Sequence, residues 1–337
     1  MPTQTAVPIE TAVPTETAVP TQTAVPTQTA VPTPTAIATT EPSSDTEEPV
    51  QEAQPDKTLP PVTYSGDVKA IRTATGAVMA VRGSSASGFD VVTPCYNVAT
   101  VASGRQITGP IDVLIDPGHG GPETGAVGPN GLKESTVNLQ VAELLYNELV
   151  DRGYTVELTR YADHRVAIQS RTELANALAP QIFVSIHHNG GFPEAMPQAA
   201  TEVFVQQNSL EGARLGGLVF EEIQAAFADI DIDWMGNPET FGVAWRQNQE
   251  GTDLYGILRR TPGIVSVLTE AMFLSTEAEA NLLALPETLE TEALALATAI
   301  DRYFTTDDSG SGFIDGIIFE GDLGNGGSTL GCEDPPL

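Results

Sequence analysis

Three short apolar runs, each ending on a side chain that can bind a metal or carry a proton, constrain this chain more than any other feature. Ile111 to Ile115 stops at Pro117-Gly118, just ahead of His119. Gln181 to Ile186 ends in His187-His188-Asn189-Gly190, and Ile264 to Leu268 ends in Thr269-Glu270. Apolar runs of this length, closed by turn residues, read as buried strands. Stretches with helical spacing lie between them, which predicts an α/β fold: a largely parallel twisted sheet with helices on both faces. At the carboxyl edge of such a sheet, loops converge over rigid strand ends and ligands gather.

The loop after the first run carries Gly118, Gly120 and Gly121, which let the backbone turn sharply and approach a ligand. It closes at Pro129-Asn130-Gly131 and reaches Glu134, followed by Ser135, which reads as the N-cap of a helix. In that helix Val137, Val141, Leu144, Leu145 and Leu149 are spaced for one buried stripe, and Gly153 marks its end. Tyr154 to Leu158 reads as a strand, and Arg165 to Leu178 as a helix stopped by Ala179-Pro180. Thr201 to Val205 follows as a strand, Ser209 to Phe227 as a helix capped by Ser209, and Glu287 to Phe304 as a last helix.

Three of the four histidines thus sit at two strand ends, with a carboxylate at a third. Two neutral imidazoles and a carboxylate with an open fourth position are what a catalytic zinc needs. Asp116 is a candidate partner for the second nitrogen of His119, or a loop-former. His188, next to His187, should point to the opposite face of its strand, so it either packs or lines a substrate groove.

At these residues the chain resembles a known family. IDPGHGG, the Glu134 after it, SIHHN and TEAMFLS occur in the order and spacing of the zinc-dependent N-acetylmuramoyl-L-alanine amidases of the amidase type 3 family, which cleave peptidoglycan. The resemblance runs from about Ile111 to Phe304. It implies His119, Glu134 and His187 as ligands of one zinc ion and Glu270 as catalytic acid/base. It also implies hydrolysis of the linear amide between the muramic lactyl group and L-alanine. The family often has a small residue where this chain has His188. Two other readings remain: a zinc hydrolase of another amide in the peptide stem, and a catalytically inactive wall-binding protein. HExxH, a Walker loop and a Gly-x-Ser-x-Gly elbow are all missing from the sequence.

The flanks read differently. Within residues 1–60, residues 5 to 34 repeat TAVPTE or TAVPTQ, with Pro8, Pro14, Pro20, Pro26 and Pro32 in register, and Ser43 to Asp56 turns acidic. Proline at every sixth position forbids helix and interrupts sheet ladders, so a disordered, stiff spacer is expected. Residues 61–110 offer short β-rich runs of SH3-like size, with Tyr64, Phe89 and Tyr96 as the only aromatics for a binding face. Residues 111–305 make the catalytic domain, and 306–337 a Gly/Ser-rich acidic tail, poorly ordered except where Cys332 fastens it. Cys95 and Cys332, the only cysteines, are expected to pair if the protein is exported. The connection 229–260 holds Trp234, Trp245, Tyr255, Arg259 and Arg260 and is expected to wall the substrate groove beside Asn189, with either arginine meeting a substrate carboxylate.

A net charge of −30 excludes nucleic acid as partner, since that binding rests on basic contacts to phosphate. No apolar run is long enough to cross a membrane. Met1 leads straight into the repeat, so the export signal expected of a secreted or wall-associated protein would precede a truncated start. The chain reads as a monomer whose partner is peptidoglycan.

Overall fold

The computed structural model describes residues 57–61, 66–314, 316–318 and 327–337. The Thr/Pro repeat and Tyr64 lie outside them. Five antiparallel strands come first: β1 (Val68–Arg72), β2 (Val78–Ser85), β3 (Gly88–Val92), β4 (Val98–Val101) and β5 (Arg105–Thr108). They form one sheet in the order β4-β3-β2-β1-β5. Because side chains alternate across a strand, the two faces of this sheet serve different cores. Ile71, Met79, Val81, Val91 and Val101 make a small core of their own. Ala70, Val78, Ala80 and Ile107 instead join Leu174, Ala175 and Leu178 of the larger body.

The larger body continues with β6 (Val113–Pro117), α1 (Glu134–Asp151), β7 (Val156–Leu158), α2 (Ile168–Leu178), β8 (Ile182–Asn189), β9 (Glu194–Ala195) and β10 (Glu202–Val205). Then come α3 (Leu210–Phe227), β11 (Met235–Gly236), β12 (Gly242–Ala244), β13 (Arg246–Gln247), α4 (Gly256–Arg259) and β14 (Val265–Phe273). α5 (Glu277–Leu283), α6 (Pro286–Thr305) and β15 (Ile317–Ile318) complete it. Six strands make one sheet, β12-β10-β14-β8-β6-β7. β14, β8, β6 and β7 are mutually parallel, whereas β10 runs antiparallel to β14. The mostly parallel sheet expected from the alternation is present, with its reversal near one edge.

Helices cover both faces. α1, α3 and α6 bury the apolar core on one side, where Val137, Val141, Leu145 and Leu149 point inward at four-residue spacing. On the other side α2 and α4 pack on Leu114, Phe183, Phe204 and Leu268, and the small sheet lies over α2. Among the described residues no helix is long and apolar enough to cross a membrane.

Two boundaries differ from the sequence reading. Ser135 is not the cap of α1, which begins one residue earlier after Lys133, without a side-chain cap. The first amides of the helix are held by the preceding loop instead: Glu134 N donates to Ala126 O and Ser135 N to Thr124 O. β8 and β14 run past the expected stops at Ile186 and Leu268, because they keep pairing through Glu270–His187 to Phe273–Asn189.

Two described parts of the tail are fastened to the body. Val243 N donates to Gly312 O, and Ile314 N to Val243 O, so the tail satisfies the open edge of β12. Gly310 and Gly312 have φ near +71° and +81°, and a Cβ at Gly310 would collide with the backbone of Gly217. Further on, Cys332 is bonded to Cys95 with Cα atoms 5.5 Å apart. Asp334 accepts hydrogen bonds from Cys95 N, Thr93 Oγ1 and Asn97 Nδ2.

Candidate metal centre

Where β6 ends, the chain leaves the sheet through Gly118 into His119, a non-glycine residue with φ of 58°. That backbone is costly for a residue with a Cβ and persists only when neighbours enforce it. Two buried arginines do so. Arg160 donates from Nε to Pro117 O and from Nη2 to Gly118 O and Ser135 O. Arg171 donates from Nη2 to His119 O and from Nη1 to Pro117 O, and is ion-paired to Asp116 at 2.6 Å. Burial pulls the Arg160 guanidinium down to about 9, and the Arg171 charge adds to this. Asp116 itself accepts from Thr159 Oγ1 and Ser185 Oγ. It therefore fastens the loop and does not meet the His119 ring.

The partner of His119 Nδ1 is Glu123 Oε1, at 3.2 Å. Glu123 is in turn held by Arg165 Nε and by the backbone N–H of Gly327. On the other nitrogen, His119 Nε2 lies 3.2 Å from Glu134 Oε1, and His187 Nδ1 lies 2.9 Å from the same oxygen. Ligand atoms of His119, Glu134 and His187 all fall within 4.8 Å of one another, so the three can hold a metal ion. Loop glycines allow this convergence: a Cβ at Gly118 would strike the His187 ring, and one at Gly125 the Glu134 carboxylate.

Electrostatics follow from crowding. Burial opposes the charge on Glu134, but its hydrogen bonds to both histidines hold its carboxyl well below the usual range. Burial likewise works against a charged His119, yet Glu123 and Glu134 hold it up at about 9. Burial lowers His187 despite Glu134. Taken together, the two imidazoles and one ionised carboxylate form a borderline-soft donor set, the chemistry that suits zinc.

Glu270, opposite His187 across β14 and β8, shares a cavity of about 240 Å³ with His119, His187 and Tyr255. Its Oε2 is shielded from solvent and has no hydrogen-bond partner among the described residues. Burial, with Glu134 and Glu202 nearby, pushes its carboxyl well above the usual range.

The remaining candidates part company. His188 does not line a groove. Its side chain is 0% exposed and points to the α1 and α6 side, with Nδ1 2.8 Å from Asn138 Oδ1 and Nε2 3.0 Å from Glu292 Oε2. Asn138 Nδ2 donates onward to Glu134 Oε1, so His188 backs the site from behind. Asn189 does border an open groove beside the cavity, together with Glu202 and Arg246. Arg259 and Arg260 are not among the residues that line the metal cavity, and Arg259 Nη1 donates to Asp253 O and Leu254 O of its own loop. Of the two tryptophans, Trp234 is buried in the core.

The fourth histidine, His164, is 9% exposed, and neither ring nitrogen has a partner among the described residues. Burial, with Arg160 and Arg171 nearby, pulls it down to about 4. A depressed folded pKa means that the unfolded chain takes the proton first as pH falls. Stability present above pH 6.5 should therefore be lost toward pH 4, by about 3 kcal/mol from this group. Denaturant melts at pH 7 and pH 4 should show wild type losing about that much more than His164→Gln. Equal losses would rule the assignment out.

Residues 113–302 match the family described as N-acetylmuramoyl-L-alanine amidase. The chain is 31% identical to the uncharacterized protein YqiI of Bacillus subtilis over 62% of this chain and 94% of that protein. It is 27% identical to the N-acetylmuramoyl-L-alanine amidase AmiA of Escherichia coli, over 57% of this chain and 75% of that one. A crystal structure of N-acetylmuramoyl-L-alanine amidase from Clostridium difficile 630 superposes with a TM-score of 0.50 at 22% identity. It covers 59% of this chain and 100% of that chain, and supports the fold.

Proposed function

The chain belongs to the N-acetylmuramoyl-L-alanine amidase family, and from that premise we propose how its own residues perform the hydrolysis of peptidoglycan. His119, Glu134 and His187 would hold one zinc ion. The observation that carries this reading is the convergence of their three ligand atoms within 4.8 Å beside a carboxylate oxygen with no hydrogen-bond partner among the described residues. Bound there, zinc supplies Lewis acidity toward the amide carbonyl and toward water.

The protein's part is positioning and proton transfer. Glu270 accepts the proton of the attacking water through its unpartnered Oε2 and returns it to the amine of L-alanine as the amide breaks. A pKa raised by burial suits both halves of that duty, because the group must take a proton and then release it near neutral pH. Glu123 fixes the His119 ring through Nδ1, leaving Nε2 facing the centre. Arg160 and Arg171 keep the loop carbonyls, and hence the ring, in place.

Residues 61–110 act as a β-rich module, residues 111–305 as the catalytic part, and the enzyme works as a monomer outside the cytoplasm, on the wall. Digestion of purified peptidoglycan, with fragments identified by mass spectrometry, tests the reaction. Stem peptides beginning at L-alanine should appear and should vanish with chelator, returning on addition of zinc. Release of glycan still joined to L-alanine would overturn the bond assignment.

A further inference from the structure

Beside the metal cavity one arginine is held in place but underused. Arg246, the first residue of β13, stacks on Phe204, its guanidinium carbon 4.3 Å from the ring centroid. Its Nη1 donates to the Tyr255 hydroxyl at 2.9 Å. Its Nε is buried without a hydrogen-bond partner, and among the described residues Arg246 makes no ion pair. In a chain with 45 carboxylates and 15 basic residues, an arginine left unpaired beside a cavity is unexpected.

Its surroundings explain why it points there. Glu202 and Glu270 face each other across β10 and β14, and Phe204 faces Leu268 two residues on, so all four share one face of the sheet. Tyr255 and Glu270 line the metal cavity, while Arg246, Glu202 and Asn189 line the adjoining groove. Arg246, bonded to Tyr255, therefore stands at the junction of the two. It is the only cation among the described residues lining that groove, whose rim carries Glu194 and Glu239. Glu202 does not neutralise it by contact: its carboxyl bonds Thr240, and burial pushes it up, toward the protonated form.

We infer that Arg246 is a specificity residue, which reads a carboxylate on the peptide side of the amide being cut. This rests on the amidase reading above. A planar guanidinium braced by two aromatic rings presents its free N–H groups in a fixed fork, the arrangement that favours carboxylate over carboxamide. A substrate carboxylate bound there would supply the acceptor that Arg246 Nε does not find among the described residues.

The test uses the full chain with zinc and two muramoyl peptides that differ in one group, an α-carboxylate or an α-carboxamide on the residue after L-alanine. Wild type should cleave the carboxylate form with kcat/KM about 10- to 100-fold higher, as a charge-assisted hydrogen bond implies. Arg246→Gln, which keeps a donor for Tyr255, should lose most of its rate on the carboxylate form, so that the two substrates become equal within about twofold. Arg246→Lys, with charge but no fork, should retain an intermediate preference and guards against misfolding of the first variant. A wild-type ratio near one, or a ratio that survives in Arg246→Gln, would overturn the inference. Failure of wild type to cut either peptide at the muramoyl amide would instead remove the amidase reading, and this subsite with it.

Discussion

Glu270→Gln is expected to lower kcat for muramoyl-alanine amide hydrolysis by about 10²- to 10⁴-fold while leaving zinc content unchanged. The substitution is nearly isosteric and removes only the ability to accept and return a proton. Oε2 has no hydrogen-bond partner among the described residues, so none of those is lost. Glu270 is also outside the group of ligand atoms formed by His119, Glu134 and His187. Stability should stay or rise slightly, because a carboxyl pushed well above its usual range by burial and by Glu134 and Glu202 is replaced by a neutral amide. Steady-state rates, metal content per chain and a melting curve together check this. Loss of zinc in Glu270→Gln would mean that the residue is a ligand, and retention of more than about a tenth of the rate would mean that another group moves the proton.

The second large effect concerns the covalent link. Cys95 and Cys332 are separated by 237 positions, and closing so long a loop removes much of the freedom of the unfolded chain. In the chain-entropy account the double variant Cys95→Ser, Cys332→Ser should lose about 5 to 6 kcal/mol, with measured losses often smaller. For a chain of this size that corresponds to a fall in Tm of about 10 °C. Asp334 still has its three bonds to the 93–97 turn after the bond is gone, so the tail need not detach completely. A fall of less than about 2 °C would show that the unfolded chain is constrained by other means. Treating wild type with reductant should reproduce the result of the double variant.

Much of this was readable in advance because it is local. Strand runs and helix stripes depend on neighbours within a few positions, and His119, Glu134, His187 and Glu270 stand where those runs end. Ser209 caps α3 as its type suggests, accepting from Gly212 N. Ser135 misled because a capping side chain and a pair of loop carbonyls satisfy the same amides, and only the folded loop shows which is used. Arg160 and Arg171 could not be singled out, since the loop carbonyls they hold are 25 to 54 positions away and carry no sequence signature. Glu123 is silent in the sequence for a different reason: its role depends on which ring nitrogen of His119 faces inward, which only the folded loop decides. Arg246 carries no signal of its own in the sequence: only folding stacks its guanidinium on Phe204, which shares a face of the sheet with Glu270. The short α5, only two turns long, left too little periodicity to recognise.

The reversed pair β10 and β12 has a consequence for how such a protein can diversify. Because β10 runs against β14, it is the beginning of β10, at Glu202, that stands beside the reactive edge, while its end at Val205 points to the far rim. A segment inserted ahead of Glu202 therefore adds material above the substrate path, whereas one inserted after Val205 only lengthens the opposite side. New substrate preferences can be acquired between Gly190 and Thr201 without touching a single ligand, and the same number of residues added between Gln206 and Ser209 would change the outline of the molecule and leave its chemistry alone.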